Sequence, residues 1–249
     1  MTNELFVLSL SATVLGRTET VYPTLIVDEE NVILVDTGYP GQYALLQAAV
    51  EETGTAFNCL NKLILTHQDL DHIGSLPDIH KQFGSQVEVM ASVIEKPFIE
   101  GKQQLLKLNA DAIQQAVASL PPQVPEQMRE AFRKTLENPP RGAVNTIIAP
   151  DEHLAIGGGL VVIDSAGHTP GHISLYHNPS RTLIAGDALI VQEGMLLPPD
   201  PMLCIDPGLA KRSIENFLAY DIDSVVCYHG GVYTNQPNER LRELAERLR

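Results

Sequence analysis

"LTHQDLDH", Leu65 to His72, places two histidines and two aspartates within six positions. Ionisable groups this dense are costly to hold together unless something uses them. Imidazole nitrogen and carboxylate oxygen together suit zinc, iron or manganese. The run just before the cluster, "KLILT" (62–66), is short and nearly all apolar, which predicts a buried central strand. Such a strand fixes where the loop begins, so His67, Asp69, Asp71 and His72 leave from a rigid edge. Four groups so close in sequence cannot easily all reach one ion, and sharing between two metals is expected. The competing reading of this stretch alone is a turn whose aspartates satisfy backbone N–H groups.

Three other stretches favour the metal. "SAGHTPGH" (165–172) sets His168 and His172 in a loop held by Gly167, Pro170 and Gly171. "LIAGD" ends a predicted strand at Asp187, and "VVCYHGG" brings another to His229. A His or Asp at the end of each of several buried strands is what a site on one rim of a sheet requires.

Outward from these motifs the chain alternates strands and helices. "TLIVDEENVILVDTG" (24–38) predicts a hairpin turning at Asp28–Asn31, and "YALLQAAVEETG" (43–54) a helix stopped by Gly54. A short helix at 75–84 and a strand at 86–92 follow. Residues 95–145 differ: 105–120 and 125–138 are helical by period, with Pro121-Pro122 and Pro139-Pro140 after them. They are expected to be a helical insertion between two β-rich halves, either a packed structural pair or a wall over a pocket. Hairpins are predicted at Gly157–Gly159 and Asn178–Ser180, and a helix over 206–220 with Asp206 as N-cap and Pro207 first. A buried strand over "SVVC" and an amphipathic helix over 237–249 complete the chain.

Bulk properties narrow the function classes. With 249 residues, one large α/β domain over 1–249 is expected. The chain carries 17 Lys+Arg against 31 Asp+Glu, a formal charge of -14, which opposes nucleic acid and anionic membrane. Its three cysteines, Cys59, Cys204 and Cys227, form no CxxC and fit a reducing compartment. Cys204 and Cys227 read as small core residues. The opening "MTNELFVLSLSATVLG" lacks a basic flank and reads as a first strand rather than a signal peptide. No apolar run is long enough to span a bilayer. A cytoplasmic enzyme with a small-molecule substrate is expected; the oligomeric state is left open.

The motifs "VDTG", "THQDLDHIGSL", "GHTPGH", "LIAGD" and "YHGG", in this order and spacing, resemble the metallo-β-lactamase superfamily. The resemblance covers most of the chain outside the insertion. It implies a four-layer αβ/βα sandwich with a binuclear metal site at the edges of two sheets. It further implies two divalent metal ions, zinc first, with manganese or iron as alternatives. By position, His67, Asp69 and His168 would serve the first ion and Asp71, His72 and His229 the second, with Asp187 between them. Asp36 matches a supporting residue, and His172 a structural one.

Asp69 departs from the family's HxHxDH motif, which has His there. As a ligand it adds a negative charge: Asp69, Asp71 and Asp187 give -3 against +4 for two divalent ions, and a bridging hydroxide would bring the sum to zero. The ions would be weaker Lewis acids, with preference moving toward harder metals. The short side chain also raises the alternative that Asp69 fails to reach and the protein is mononuclear.

The family resemblance implies hydrolysis, a metal-bound hydroxide attacking a small ester-like substrate, with Asp71 orienting it or carrying a proton. A lactone or thioester is favoured. Nucleases need a basic groove, and this chain has no Lys/Arg clusters. The Tyr that lactonases carry after the bridging Asp is missing, since Ala188, Leu189 and Ile190 follow Asp187; Tyr228 or Tyr233 could stand in, or simply pack with the hydroxyl at the surface. Phe98, Leu105, Leu106, Met128 and Phe132 could wall an acyl pocket or pack the insertion. The alternative is non-hydrolytic: an iron-bearing oxygenase-type enzyme, or a metal-binding sensor.

Overall fold

Strand residues Val32 to Val35 are all buried: Val32 and Leu34 face one apolar layer, Ile33 and Val35 another. A strand is covered on both faces only when it lies between layers. The structure, a computed structural model, describes residues 3–14 and 17–247. Residues 1–2, 15–16 and 248–249 of the expected domain lie outside them.

The strands of the first half are β1 (Glu4–Val7), β2 (Leu10–Val14), β3 (Arg17–Val21), β4 (Thr24–Val27), β5 (Val32–Val35), β6 (Lys62–Ile64), β7 (Glu88–Ala91) and β8 (Thr146–Ile147). Six of them form one sheet in the order β1-β4-β5-β6-β7-β8, while β2 and β3 pair separately. From β5 to β8 all neighbours are parallel, so these strands end on the same rim. The second half supplies β9 (His153–Leu154), β10 (Leu160–Asp164), β11 (Ile173–His177), β12 (Thr182–Gly186), β13 (Ile190–Gln192), β14 (Met195–Leu197), β15 (Ser224–Cys227) and β16 (Gly231–Tyr233). The second sheet runs β16-β15-β12-β11-β10-β9, with β13 and β14 as a separate hairpin.

Period-two alternation sorts the side chains into three apolar layers. Ile33, Val35, Ile64 and Met90 meet Leu160, Val162 and Ile184 between the sheets. Leu34, Leu63 and Val89 face outward onto helices α1 (Tyr43–Glu52) and α2 (Leu76–Phe83) through Leu46, Val50, Leu76 and Phe83. Across the molecule Val161, Ile163 and Leu183 meet Ile214, Phe217, Leu241 and Leu244. This is the αβ/βα sandwich. Between β7 and β8 lie α3 (Lys96–Ile99), α4 (Ala110–Ala118) and α5 (Glu126–Glu137). Arg129 ties α4 to α5, its guanidinium donating to the Val117, Leu120 and Pro121 carbonyls.

Two helices differ from expectation: the one expected over 105–120 begins only at Ala110, because the Asn109 side chain caps it by accepting from the Ala112 N–H. Asp206 caps α6 (Pro207–Ser213) by accepting from the Leu209 N–H at 2.8 Å, but Ile214–Ala219 continues as a 3-10 turn. Ile214 and Phe217 are three apart, and the tighter turn puts both in the core. Helix α7 (Pro237–Arg247) packs beside this turn.

Leu63 is fully buried at the centre of the first sheet. Leu63→Ala is expected to lower the unfolding free energy by about 2–5 kcal/mol. A urea titration should show a lower midpoint with an unchanged slope.

Candidate metal centre

Five strands deliver the polar residues to one rim. Asp36 follows β5, His67 follows β6, His168 lies beyond β10, Asp187 follows β12 and His229 lies beyond β15. Asp36 has a left-handed backbone, φ 63, and its N–H donates to the Ile64 carbonyl. Its carboxylate accepts from the Thr66 N–H at 2.9 Å, the Thr66 hydroxyl at 2.8 Å and His72 Nδ1 at 2.9 Å. With Nδ1 so engaged, the Nε2 of His72 is the nitrogen left for the rim. Gly167 precedes His168 where a Cβ would collide with the backbone of Ala210. Only glycine lets this loop lie against α6.

The seven residues singled out by sequence lie in two clusters. His67, Asp69, His168 and Asp187 each offer an atom within 4.8 Å of the others, and so do Asp71, His72 and His229. Asp69 Oδ2 is 3.2 Å from His67 Nε2 and 3.0 Å from His168 Nε2, so its short side chain brings an oxygen into this cluster. Asp71 Oδ2 is 3.1 Å from His229 Nε2. Asp187 adjoins both clusters, 3.3 Å from His168 Nε2 and 3.3 Å from His72 Nε2. His172 is otherwise employed, its Nε2 accepting from the Asp187 N–H and its Nδ1 paired with Ser165.

The sequence model of the Metallo-beta-lactamase superfamily matches residues 16–229. The chain belongs to the metallo-β-lactamase superfamily. The probable metallo-hydrolase YflN of Bacillus subtilis (strain 168) is 28% identical over 234 residues, 89% of this chain and 84% of that protein. The uncharacterized protein YobT of the same organism is 27% identical over 232 residues, 90% of this chain and 89% of its own. The metallo-beta-lactamase family protein TTHA1429 from Thermus thermophilus shares the fold, with TM-score 0.68 and 23% identity over 98% of this chain and 78% of that one. Membership supports a metal-dependent hydrolase in general terms. Among the described residues no helix is long and apolar enough to cross a membrane.

The donors fit the family's metals. His67 Nε2, His72 Nε2 and Asp187 Oδ1 are buried with no hydrogen-bond partner. Unpartnered buried polar atoms are rare in folded proteins, and three of the seven such side-chain atoms among the described residues gather in these clusters. Cations among them would satisfy each one.

Burial alone would push Asp69 up, but His67, His168 and Lys107 outweigh it and hold the carboxyl well below its usual range. Burial opposes ionisation of Asp187 too, yet His72 and His229 bring it well below. The histidines answer in kind. Burial lowers His229, but Asp187 and Asp71 raise it to about 10. Burial likewise lowers His168, but bonds to Asp69 and Cys204 and the charge of Asp187 lift it to about 9, with Lys107 opposing.

Sequence reading missed three contributors to this superfamily site, Lys107, Glu95 and Tyr39, and misplaced the hydroxyl of a fourth, Tyr228. Lys107, between α3 and α4, places Nζ 2.5 Å from Asp69 Oδ2 and 2.7 Å from His168 Nε2. Glu95, fully buried, accepts from the Gln68 N–H and side-chain amide through one oxygen and from Thr169 and the Gly171 N–H through the other. Burial and the charges of Asp71 and Glu19 raise the Tyr39 phenol far above its ordinary value, with Asp187 and Asp69 adding to it. Tyr228 lies over His72, ring centroids 3.8 Å apart, and its hydroxyl donates to the Asp71 carbonyl at 2.6 Å. That hydroxyl is therefore neither at the surface nor free for substrate, and Tyr233 packs in the second sheet's core. Cys204 is a correction: Cys227 is in the core, but Cys204 is half-buried with Sγ 3.9 Å from His168 Nδ1. The 3-10 turn Pro201–Leu203 lifts it out to the rim.

Asp36→Asn replaces a carboxylate that holds three donors, and metal affinity is expected to fall about 10–100-fold. Competition with a chromogenic chelator measures this. Affinity should also fall as pH falls, because His229 holds a proton near neutrality that an ion must displace. Calorimetry at about pH 7 in buffers of different ionisation enthalpy should detect the released proton.

Proposed function

We propose that the protein hydrolyses a small ester-like molecule, a lactone or a thioester, with two divalent ions. His67, Asp69 and His168 are proposed to hold one ion, Asp71, His72 and His229 the other, with Asp187 between them. Zinc is the first choice of metal, with manganese or iron as alternatives. The observation that carries this is Asp187, a single buried carboxylate in contact with histidines of both clusters, beside the unpartnered His67 Nε2 and His72 Nε2. When bound, the ions supply an acidified water and a positive charge for the attacked oxygen.

The chain's own groups supply the rest. Asp71 is ionised near neutrality, because His72 and the His229 bond overcome its burial. It accepts the proton of the attacking water and returns it to the leaving oxygen or sulfur. Tyr39, kept protonated by burial, donates a hydrogen bond to the substrate. The choice of a neutral acyl compound rests on the rim. Ile94, Met202, Leu203 and Ile205 are exposed there, and the Ile205 N–H donates to the His168 carbonyl. Apolar side chains beside converging polar groups suit an acyl chain. A polyanion would instead meet a chain of formal charge -14.

Asp71→Asn is expected to lower turnover by about 100-fold or more, beyond any drop in bound metal found by elemental analysis. Turnover that merely tracks metal content would remove Asp71 from proton transfer. Dialysis against chelator should abolish activity on a panel of lactones, thioesters and phosphodiesters, and zinc should restore it. Restored activity on phosphodiesters alone would overturn the choice of substrate.

A further inference from the structure

The lysine of the insertion stands where it obstructs one of the two clusters. Resting on the metal-binding reading above, we propose that the Lys107 ammonium and a metal ion compete for Asp69 and His168. The cluster of Asp71, His72, His229 and Asp187 then fills first. Lys107 Nζ is 2.5 Å from Asp69 Oδ2 and 2.7 Å from His168 Nε2. Whether the hydrogen between these two nitrogens is the ammonium's or the imidazole's own, it takes up the His168 Nε2 lone pair. A histidine Nε2 has one in-plane lone pair. It is given to a proton or to an ion at about 2.0–2.1 Å, and not to both.

The two clusters differ in what already satisfies them. Among the described residues, no Lys or Arg lies within ion-pair distance of Asp71 or Asp187. His72 Nε2 and Asp187 Oδ1 are buried without a hydrogen bond and face each other, 3.3 Å apart. In the other cluster Asp69 Oδ2 and His168 Nε2 are both already engaged by Lys107, leaving only His67 Nε2 unpartnered.

The backbone beside Lys107 is held against the rim. The neighbouring Leu106 N–H donates to Gln68 Oε1 at 2.8 Å. Gln68 is itself bound to buried Glu95 through both its backbone N–H and its side-chain amide. The stretch that carries Lys107 is thus tied to the loop that carries Asp69. The charges agree as well. Asp69, Asp71 and Asp187 contribute -3, which Lys107 at +1 and a single divalent ion at +2 balance when His168, whose proton Lys107 opposes, is neutral. A neutral histidine at position 69 would offer the ammonium no counter-charge.

The test is zinc titration of the chelator-stripped chain, followed by calorimetry and by elemental analysis after gel filtration. The wild-type chain is expected to keep about one zinc tightly and to bind a second at least about tenfold more weakly, the weight of one charge-assisted hydrogen bond. Lys107→Met, and Lys107→Gln as a second neutral variant, should tighten the weaker site by about tenfold or more and leave the tight one unchanged. His229→Ala should abolish the tight site. Two equal sites in the wild-type chain, or variants with unchanged or weakened second binding, overturn the competition and leave the metal reading standing. Binding of no zinc, manganese or iron by any of these proteins overturns both.

Discussion

The arrangement turns on one carboxylate. Asp187 is buried and lies between the histidines of two clusters, with Asp69 and Asp71 on either side. Like charges this close repel by about 4 kcal/mol per pair even at an effective dielectric near 20. Three carboxylates therefore stay ionised together only with positive charge among them. Without ions, that charge is borne by imidazole protons and by Lys107, and His229 is accordingly pushed up to about 10. Ions bound there displace those protons. Apolar packing alone could not hold this rim together.

A rim of this kind also has to resist collapse. Histidines free to rotate would fold onto the carboxylates and block the space that a cation needs. Their rings are fixed from behind: His72 by Asp36, and His67 by the Thr66 hydroxyl at 3.0 Å from Nδ1. Glu95 acts one layer further out. Its two oxygens take four donors and bind the Gln68 loop to the Thr169–Gly171 loop, so the loops of both sheets meet at a single residue. Gly74 contributes by absence of a side chain, since a Cβ there would collide with the Gly38 carbonyl under the loop that carries Tyr39. Its N–H donates to that same carbonyl at 2.9 Å.

Much of this was legible in the chain, for a local reason. Strand alternation around 24–35 and 160–186, and short polar motifs directly after those strands, are signals contained within a few residues. The gathering of seven residues at one rim follows once parallel strands end together. What was not legible arises from packing between distant segments. Lys107 is 38 positions from Asp69, and a lone lysine within a stretch expected to be helical over 105–120 has no local mark of function. Glu95 resembled any acidic residue at a helix start. The β13–β14 hairpin escaped because its turn is Glu193-Gly194, with φ 52 and 75, where asparagine or aspartate is the usual first residue. Cys204 was misplaced because a buried environment was inferred from residue type alone.

Asp69 and the insertion make most sense together. Taken alone, a carboxylate in place of histidine adds a negative charge and weakens the ions as Lewis acids. The ammonium of Lys107 lies on that same oxygen and cancels it. Electron density drawn toward Lys107 would not be available to an ion, so an ion held beside Asp71 and Asp187 would feel two carboxylates and little of the third. Its acidity would then be closer to that expected with a histidine at position 69. The helices α4 and α5 leave Met128 exposed and meet each other, whereas the stretch before them touches the rim through Leu106 and Lys107. The insertion bears on the chemistry through that short stretch. A change of residue in the loop after β6 and a segment inserted after β7 thus act as one electrostatic unit.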